Sequence, residues 1–428
     1  MNRRFFLSKA IAFSAALPLS KFSMSNGRYI KGCETDKACA INIEDYGCRA
    51  HRDDNEYFDN RIILQNIIDT CAILSIKRSS RMIIYIPKGT YYLSATSSNS
   101  GNKNIVGAFC LLMQSNLILK GEGTLKLLPN QYGIGAYFRI LASENKIENC
   151  DIVDITLDGN SSSQIDGIQS SNILLECKAN INIRNVRSIN ANGNGILIKG
   201  GVRQDQPVLN VSISDCFVNN CKKIGIQVSQ FSGLKIFNNT VSHCNDNGID
   251  IYGDLGRDSP NKTNGNHFAV FNNKVSFCLN GIFPETVSNG KIYDNILENL
   301  KESGVHVNRI HGLPQNISIE RNQISNASSG MYFTGDMKNI FVENNKISEI
   351  TDAFFSFGGG RGNASGIQVI NNDIFLNESN NVLSSFSGEK IHNIYIALNG
   401  IQPKDDNSKL LLNRNKARVI DKNTVIVK

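Results

Sequence analysis

Asp246 and Asp250, four residues apart, open the part of this chain best equipped for chemistry. Asp254, Glu285, His306 and Arg309 follow, with Phe283 and Tyr332 among them. Paired carboxylates suit the hydrolysis of a glycosidic bond. One gives a proton to the leaving oxygen and the other serves the anomeric carbon. Retention asks for a separation of about 5 Å and inversion for roughly 6.5–9.5 Å. Asp250 is the leading catalytic carboxylate, with Asp246 or Glu285 as its partner. A second chemistry removes the C5 proton of a uronic acid. It needs a base, for which His306 or Lys199 is available, and a neutraliser of the sugar carboxylate: Arg309, Arg203 or acid-bound calcium. A third reading has no reaction, only a surface that binds or guides a polysaccharide. In each, Gln227, Asp254, Phe283, Arg309 and Tyr332 are the candidate substrate contacts, because aromatic faces pack on sugar rings while polar groups hold hydroxyls. No Cys/His spacing matches a zinc site, so no metal ligand is assigned. Calcium is the one cofactor the lyase reading would call for.

These residues need a scaffold that brings them together. A polar-Asn pair recurs at Asn238-Asn239, Asn272-Asn273, Asp294-Asn295, Arg321-Asn322, Asn344-Asn345 and Asn371-Asn372. The second members are 34, 22, 27, 23 and 27 residues apart, a period that marks a solenoid. Within each unit apolar and polar residues alternate, as in strands. Gly195, Gly225, Gly248, Gly281, Gly304 and Gly330 each precede a short strand. Its first and third residues point inward, as in Ile226/Val228 and Ile249/Ile251. The second points outward, giving the series Leu197, Gln227, Asp250, Phe283, His306, Tyr332. Stacked about 4.8 Å apart, these form one outer ladder. The expected fold is all-β, a parallel β-helix. The Asn pairs are expected at left-handed turns, with their amides bonded along the stack. Four insertions, 200–207, 252–267, 285–289 and 309–314, are expected to build one wall beside the ladder. The 252–267 insertion carries Asp254, Arg257, Asp258, Lys262 and His267.

The chain has 428 residues, 41% hydrophobic and 19% charged, with no Trp and a net charge of +7. Residues 1–24 hold Arg3, Arg4, Lys9 and Lys21 and no acid, which leaves +3 for the remainder. That balance gives no reason to expect a nucleic-acid partner. Residues 1–24 have the charged start and apolar run of an export leader, and nothing beyond them approaches the ~20 apolar residues of a membrane span. Of 11 cysteines, Cys221, Cys244 and Cys278 lie 4, 4 and 3 residues before a unit glycine. They are expected to stack inside the solenoid as small apolar groups.

Residues 41–94 carry Asp45-Tyr46-Gly47, the pair Asp53-Asp54, an amphipathic helix with Ile63, Ile67, Ile68, Cys71 and Leu74 on one face, and Ile86-Pro87-Lys88-Gly89-Thr90-Tyr91. This segment resembles the N-terminal part of the pectate-lyase-like superfamily of right-handed parallel β-helices. The resemblance implies a single domain over 41–428. Residues 41–94 would be a helical cap with the first rungs, and 378–428 the last rungs with a C-terminal cap. Arg3-Arg4-Phe5-Phe6-Leu7 resembles a twin-arginine signal, which implies a periplasmic or secreted protein without stable membrane insertion after leader removal. Of the polygalacturonase-like acid set only Asp246 is matched. Asn-Thr-Asp, Gly-His-Gly and Arg-Ile-Lys are absent, as is the alginate-epimerase Asp-Pro-His. The resulting expectation is an exported polysaccharide-active enzyme, a hydrolase ahead of a lyase. The runner-up is a non-catalytic exopolysaccharide assembly protein, since the leader and solenoid are similar in organisation to proteins of capsule clusters.

Overall fold

The computed structural model describes residues 40–52, 56–96, 109–131, 137–143, 146–164, 169–201, 206–258, 265–358, 363–375, 382–387, 390–397, 401–402, 417–421 and 424–427. The expected leader, the Asp53-Asp54 pair, Arg203 and Lys262 lie outside these residues, as do Cys33 and Cys39, two of the 11 cysteines.

One turn of the chain shows the building rule. Thr240–Cys244 lies in a first sheet, Ile249–Tyr252 in a second and Gly265–Phe271 in a third. The next turn repeats this with Lys274–Ser276, Ile282–Glu285 and Val287–Tyr293. Each strand pairs in parallel with its successor one turn on, as in Val241↔Val275, Asp250↔Phe283 and Val270↔Ile292. Three parallel sheets wound by one chain make a parallel β-helix. The alternation dictates what is buried: Ile226, Val228, Ile249, Ile251, Ile282, Val305, Val307, Met331 and Phe333 are fully enclosed. Each contributes roughly 1.5–3 kcal/mol of burial.

The Asn pairs divide their labour. The first members adopt φ of 52 to 56°, including Asp294 and Arg321, and turn the chain from the third sheet to the first. The second members point inward, at most 1% exposed. Their amides form a continuous ladder: Asn239 Nδ2 donates to Asn273 Oδ1 at 2.9 Å, Asn273 to Asn295 at 3.0 Å, Asn295 to Asn322 at 2.8 Å, then through Asn345 to Asn372. The unit glycines serve close approach. A Cβ on Gly248 would stand 2.2 Å from Val275 Cγ1 and 3.0 Å from the Gly281 carbonyl.

The helix Arg61–Arg78 packs beside strand Met82–Ile86 near the N-terminal end. Its buried stripe is Leu64, Ile67, Ile68, Cys71 and Ser75. Ile63 and Leu74 of the predicted face are only half-buried, because the stripe centres on the 64-68-71-75 spacing, one residue round the helix. At the far end the register outlasts the sequence period. Ser356 faces Ser385 and Gln368 faces Tyr395 in parallel, and Thr424–Val427 then pairs antiparallel with Lys390–Ala397. The nine described cysteines are buried and unpaired, with Cys221 and Cys244 in register. No helix among the described residues is long and apolar enough to cross a membrane.

Candidate active site

The outer ladder of the second sheet runs Leu174, Leu197, Gln227, Asp250, Phe283, with His306, Tyr332 and Ser356 beyond. Two residues along each strand stands a second outward row: Glu176, Lys199, Ser229, Tyr252, Glu285, Asn308. Over these rows lies a groove of about 800 Å³. Its floor includes Leu197, Gln227, Asp250 and Phe283. One rim is the turn holding Asp246 and Asn247, and the other is made by the loops carrying Asp254–Gly256 and Ile310–His311.

Asp250 and Glu285 are diagonal neighbours, one rung and two residues apart, so their Cα atoms are about 8 Å from each other. Asp250 is 3% exposed. Its Oδ2 accepts from Asn247 Nδ2 at 3.2 Å, while Oδ1 has no hydrogen-bond partner. Burial, then the neighbouring Glu285 charge, pushes the Asp250 carboxyl well above the usual 3.8, and the Asn247 amide offsets this only in part. Burial also raises Glu285, against the hydrogen bond from Asn308 Nδ2 to its Oε1 at 2.9 Å. Asp246 is half-buried and accepts from the Asn247 backbone N–H at 2.9 Å. Tyr252, in the outer row beside them, is pushed up to about 12, first by burial and then by the surrounding acids.

Of the sequence candidates, Gln227, Asp246, Asp250, Asp254, Phe283 and Glu285 line this groove; His306, Arg309 and Tyr332 lie outside it. His306 is held between rings, its centroid 4.6 Å from Phe283 at 77° and 4.4 Å from Tyr332 at 26°. Its Nε2 is 2.9 Å from Thr334 Oγ1, and burial lowers the imidazole to about 3, so it is neutral and poorly suited to act as a base. One face of Tyr332 lies against His306. Arg309, considered as a carboxylate neutraliser, instead pairs with Asp336 at 2.6 Å. Lys199, considered as a base, is ion-paired with Glu176 at 2.8 Å.

The wall is also narrower than expected. The 285–289 stretch holds no insertion: Glu285 ends one strand, Thr286 turns the chain with φ 51°, and Val287 begins the next. His267 sits on the third sheet, since the strand starts at Gly265. Asp254 is buried rather than presented to solvent and binds His311, a residue that sequence reasoning passed over although its loop was singled out. Among the described residues no three His, Cys, Asp or Glu are grouped to hold a metal ion.

This geometry places the chain among right-handed parallel β-helices. The sequence model described as "Right handed beta helix region" matches residues 140–347. Among solved structures, the A-module of mannuronan C-5 epimerase AlgE4 from Azotobacter vinelandii superposes with a TM-score of 0.56 at 16% identity, covering 82% of this chain and 99% of that one. A tailspike protein mutant of E. coli bacteriophage HK620 in complex with pentasaccharide gives 0.61 at 14% identity, covering 83% and 65%. The catalytic unit of a GH87 alpha-1,3-glucanase from Streptomyces thermodiastaticus gives 0.56 at 11% identity, covering 86% and 68%. At these identities the likeness is one of fold.

Proposed function

We propose that this protein is an exported glycoside hydrolase acting on a long polysaccharide of low charge, with residues 1–24 as its leader. The observation that carries the reading is the meeting of Asp246, Asp250 and Glu285 in one groove on a rigid sheet. Burial raises both Asp250 and Glu285, and neighbouring acids add to it, Glu285 acting on Asp250 and Asp254 and Asp246 acting on Glu285. Environments that keep one carboxylate protonated beside an ionised one are what acid-assisted bond cleavage requires. Asp250, the more deeply buried, carries the proton and gives it to the glycosidic oxygen as the C–O bond breaks. Glu285, whose Oε1 accepts from Asn308 Nδ2, meets the positive charge developing at the anomeric carbon; water then adds there and returns a proton to the carboxylate pair. Asp246 lies on the rim as a third acid.

The lining argues against uronic-acid elimination. Lys199, its one lysine, is committed to Glu176, and the acids would repel a sugar carboxylate. The absent Asp-Pro-His speaks against epimerisation. The named activities of the neighbours, on mannuronan and on alpha-1,3-glucan, and the pentasaccharide in the tailspike complex, support carbohydrate as the ligand class. In the test, wild type, Asp250→Asn and Glu285→Gln are each incubated with neutral and acidic polysaccharides. Wild type is expected to release reducing ends, with each variant slower by about 10²–10⁴. Variants as active as wild type refute this site.

A further inference from the structure

His311 and Asp254 stand 57 residues apart in sequence and meet at the groove rim. Asp254 Oδ2 accepts from His311 Nδ1 at 3.0 Å and from the Gly256 backbone N–H at 2.9 Å; its Oδ1 accepts from the His311 backbone N–H at 2.9 Å. Gln230 Nε2 donates to the Asp254 carbonyl at 3.0 Å. The carboxylate is 2% exposed and the imidazole 25%. A buried carboxylate with three donors fixes the ring it binds.

That arrangement decides the tautomer. Both Asp254 carboxylate oxygens already accept from backbone N–H groups, so the bond to the ring is completed by a hydrogen on Nδ1, the tautomer that leaves a lone pair on Nε2. His311 lines the groove, and Nδ1 is turned to Asp254, which leaves Nε2 as the ring nitrogen for a ligand. The loop that brings it there follows Asn308, yet reaches back to a loop that follows Tyr252, two rungs earlier. A span of about 10 Å along the axis is thereby bridged, across the end of the strand that bears Glu285.

We propose that His311, oriented by the buried Asp254, is a substrate-binding residue whose Nε2 accepts a hydrogen bond from a hydroxyl of the sugar seated beside Glu285. Asp254 is its positioning residue. This rests on the carbohydrate groove assigned above, not on bond cleavage. The ligand group is a hydroxyl, because a hydroxyl can donate to the Nε2 lone pair of that tautomer and the acids around it disfavour an anion.

The test uses Glu285→Gln full-length protein as a trap and labelled neutral oligosaccharides (α- and β-linked glucans, mannans and galactans) as probes in an equilibrium binding assay. Adding His311→Ala is expected to weaken binding about 10-fold or more. His311→Gln, whose amide oxygen can accept from a hydroxyl, should recover part of that loss. Asp254→Asn, which can donate to Nδ1 and so shift the hydrogen to Nε2, should weaken binding even where its melting temperature matches the trap. Equal affinity of Glu285→Gln with and without His311→Ala overturns the proposal. So does loss in His311→Ala with none of it recovered by His311→Gln. Binding of no probe by the trap overturns it together with the hydrolase reading. His311-dependent binding by a wild type that cleaves nothing supports it and overturns only the hydrolase reading.

Discussion

Replacing Asp250 by Asn should make the protein more stable and less active at once. The side chain is 3% exposed, Oδ1 makes no hydrogen bond, and Glu285 lies diagonally beside it. Burial and that neighbour raise the folded carboxyl above its ordinary 3.8. Between 3.8 and the folded value, the native protein keeps a proton that the unfolded chain has released. Stability therefore falls as pH rises through this window. Asn has nearly the same shape, retains an oxygen for Asn247 Nδ2, and carries no charge for burial or Glu285 to oppose. An unsatisfied buried polar group costs about 1–3 kcal/mol, more when charged. The variant should thus gain about 1–3 kcal/mol near pH 8, a gain that fades toward pH 4. Urea unfolding followed by circular dichroism at pH 4, 6 and 8 measures this. Cleavage should drop about 10²–10⁴ in parallel, since the proton donor is gone. A variant less stable than wild type at pH 8, or one whose advantage is the same at pH 4, refutes the electrostatic reasoning.

Three further outcomes follow from the scaffold. Asn295→Ala removes an amide that donates to Val270 O, Tyr293 O and Asn322 Oδ1 and accepts from Asn273; it should cost about 3 kcal/mol or more in urea unfolding, where replacing a solvent-facing turn Asn such as Asn326 costs far less. Because burial raises Cys48 and Cys71 to about 12 and the described thiols are all enclosed, a thiol-reactive dye should label those nine only once denaturant opens the fold. His306, lowered to about 3 from 6.5, binds fewer protons folded than unfolded, so it adds stability that declines as pH falls from 6.5 toward 3; His306→Phe, placed edge-on to Phe283 and stacked on Tyr332, should flatten that part of the pH–stability curve, opposite in sign to the Asp250 effect.

The solenoid was legible because its signals are local and repeat. Alternation sets which residues point inward, and an inward Asn beside a left-handed turn residue recurs once per rung. The ladder Gln227-Asp250-Phe283-His306-Tyr332 could be read for the same reason, since one register rule relates every rung. What could not be read depends on long-range pairing. Arg309 looks like a free cation in sequence, but Asp336 lies on the next rung, 27 residues on. The 285–289 stretch resembles an insertion until Thr286 is found to turn the chain alone, with φ 51°, a conformation unusual for a β-branched residue. His311 gains meaning only from Asp254, and no spacing links two loops 57 residues apart. The aromatics of the ladder divide likewise: Phe283 lines the groove, while Tyr332 lies outside it with one face against His306.

The most direct measurement of the central claim is the product of wild-type protein acting on neutral and uronic-acid polysaccharides, read together as chain length, reducing ends and the ultraviolet absorbance of unsaturated uronides. Hydrolysis by the Asp250–Glu285 pair predicts shorter neutral chains, one new reducing end per cut, no new absorbance, and cutting slowed about 10²–10⁴ in Asp250→Asn. New absorbance from a uronic-acid polymer, or unshortened chains throughout, would contradict it.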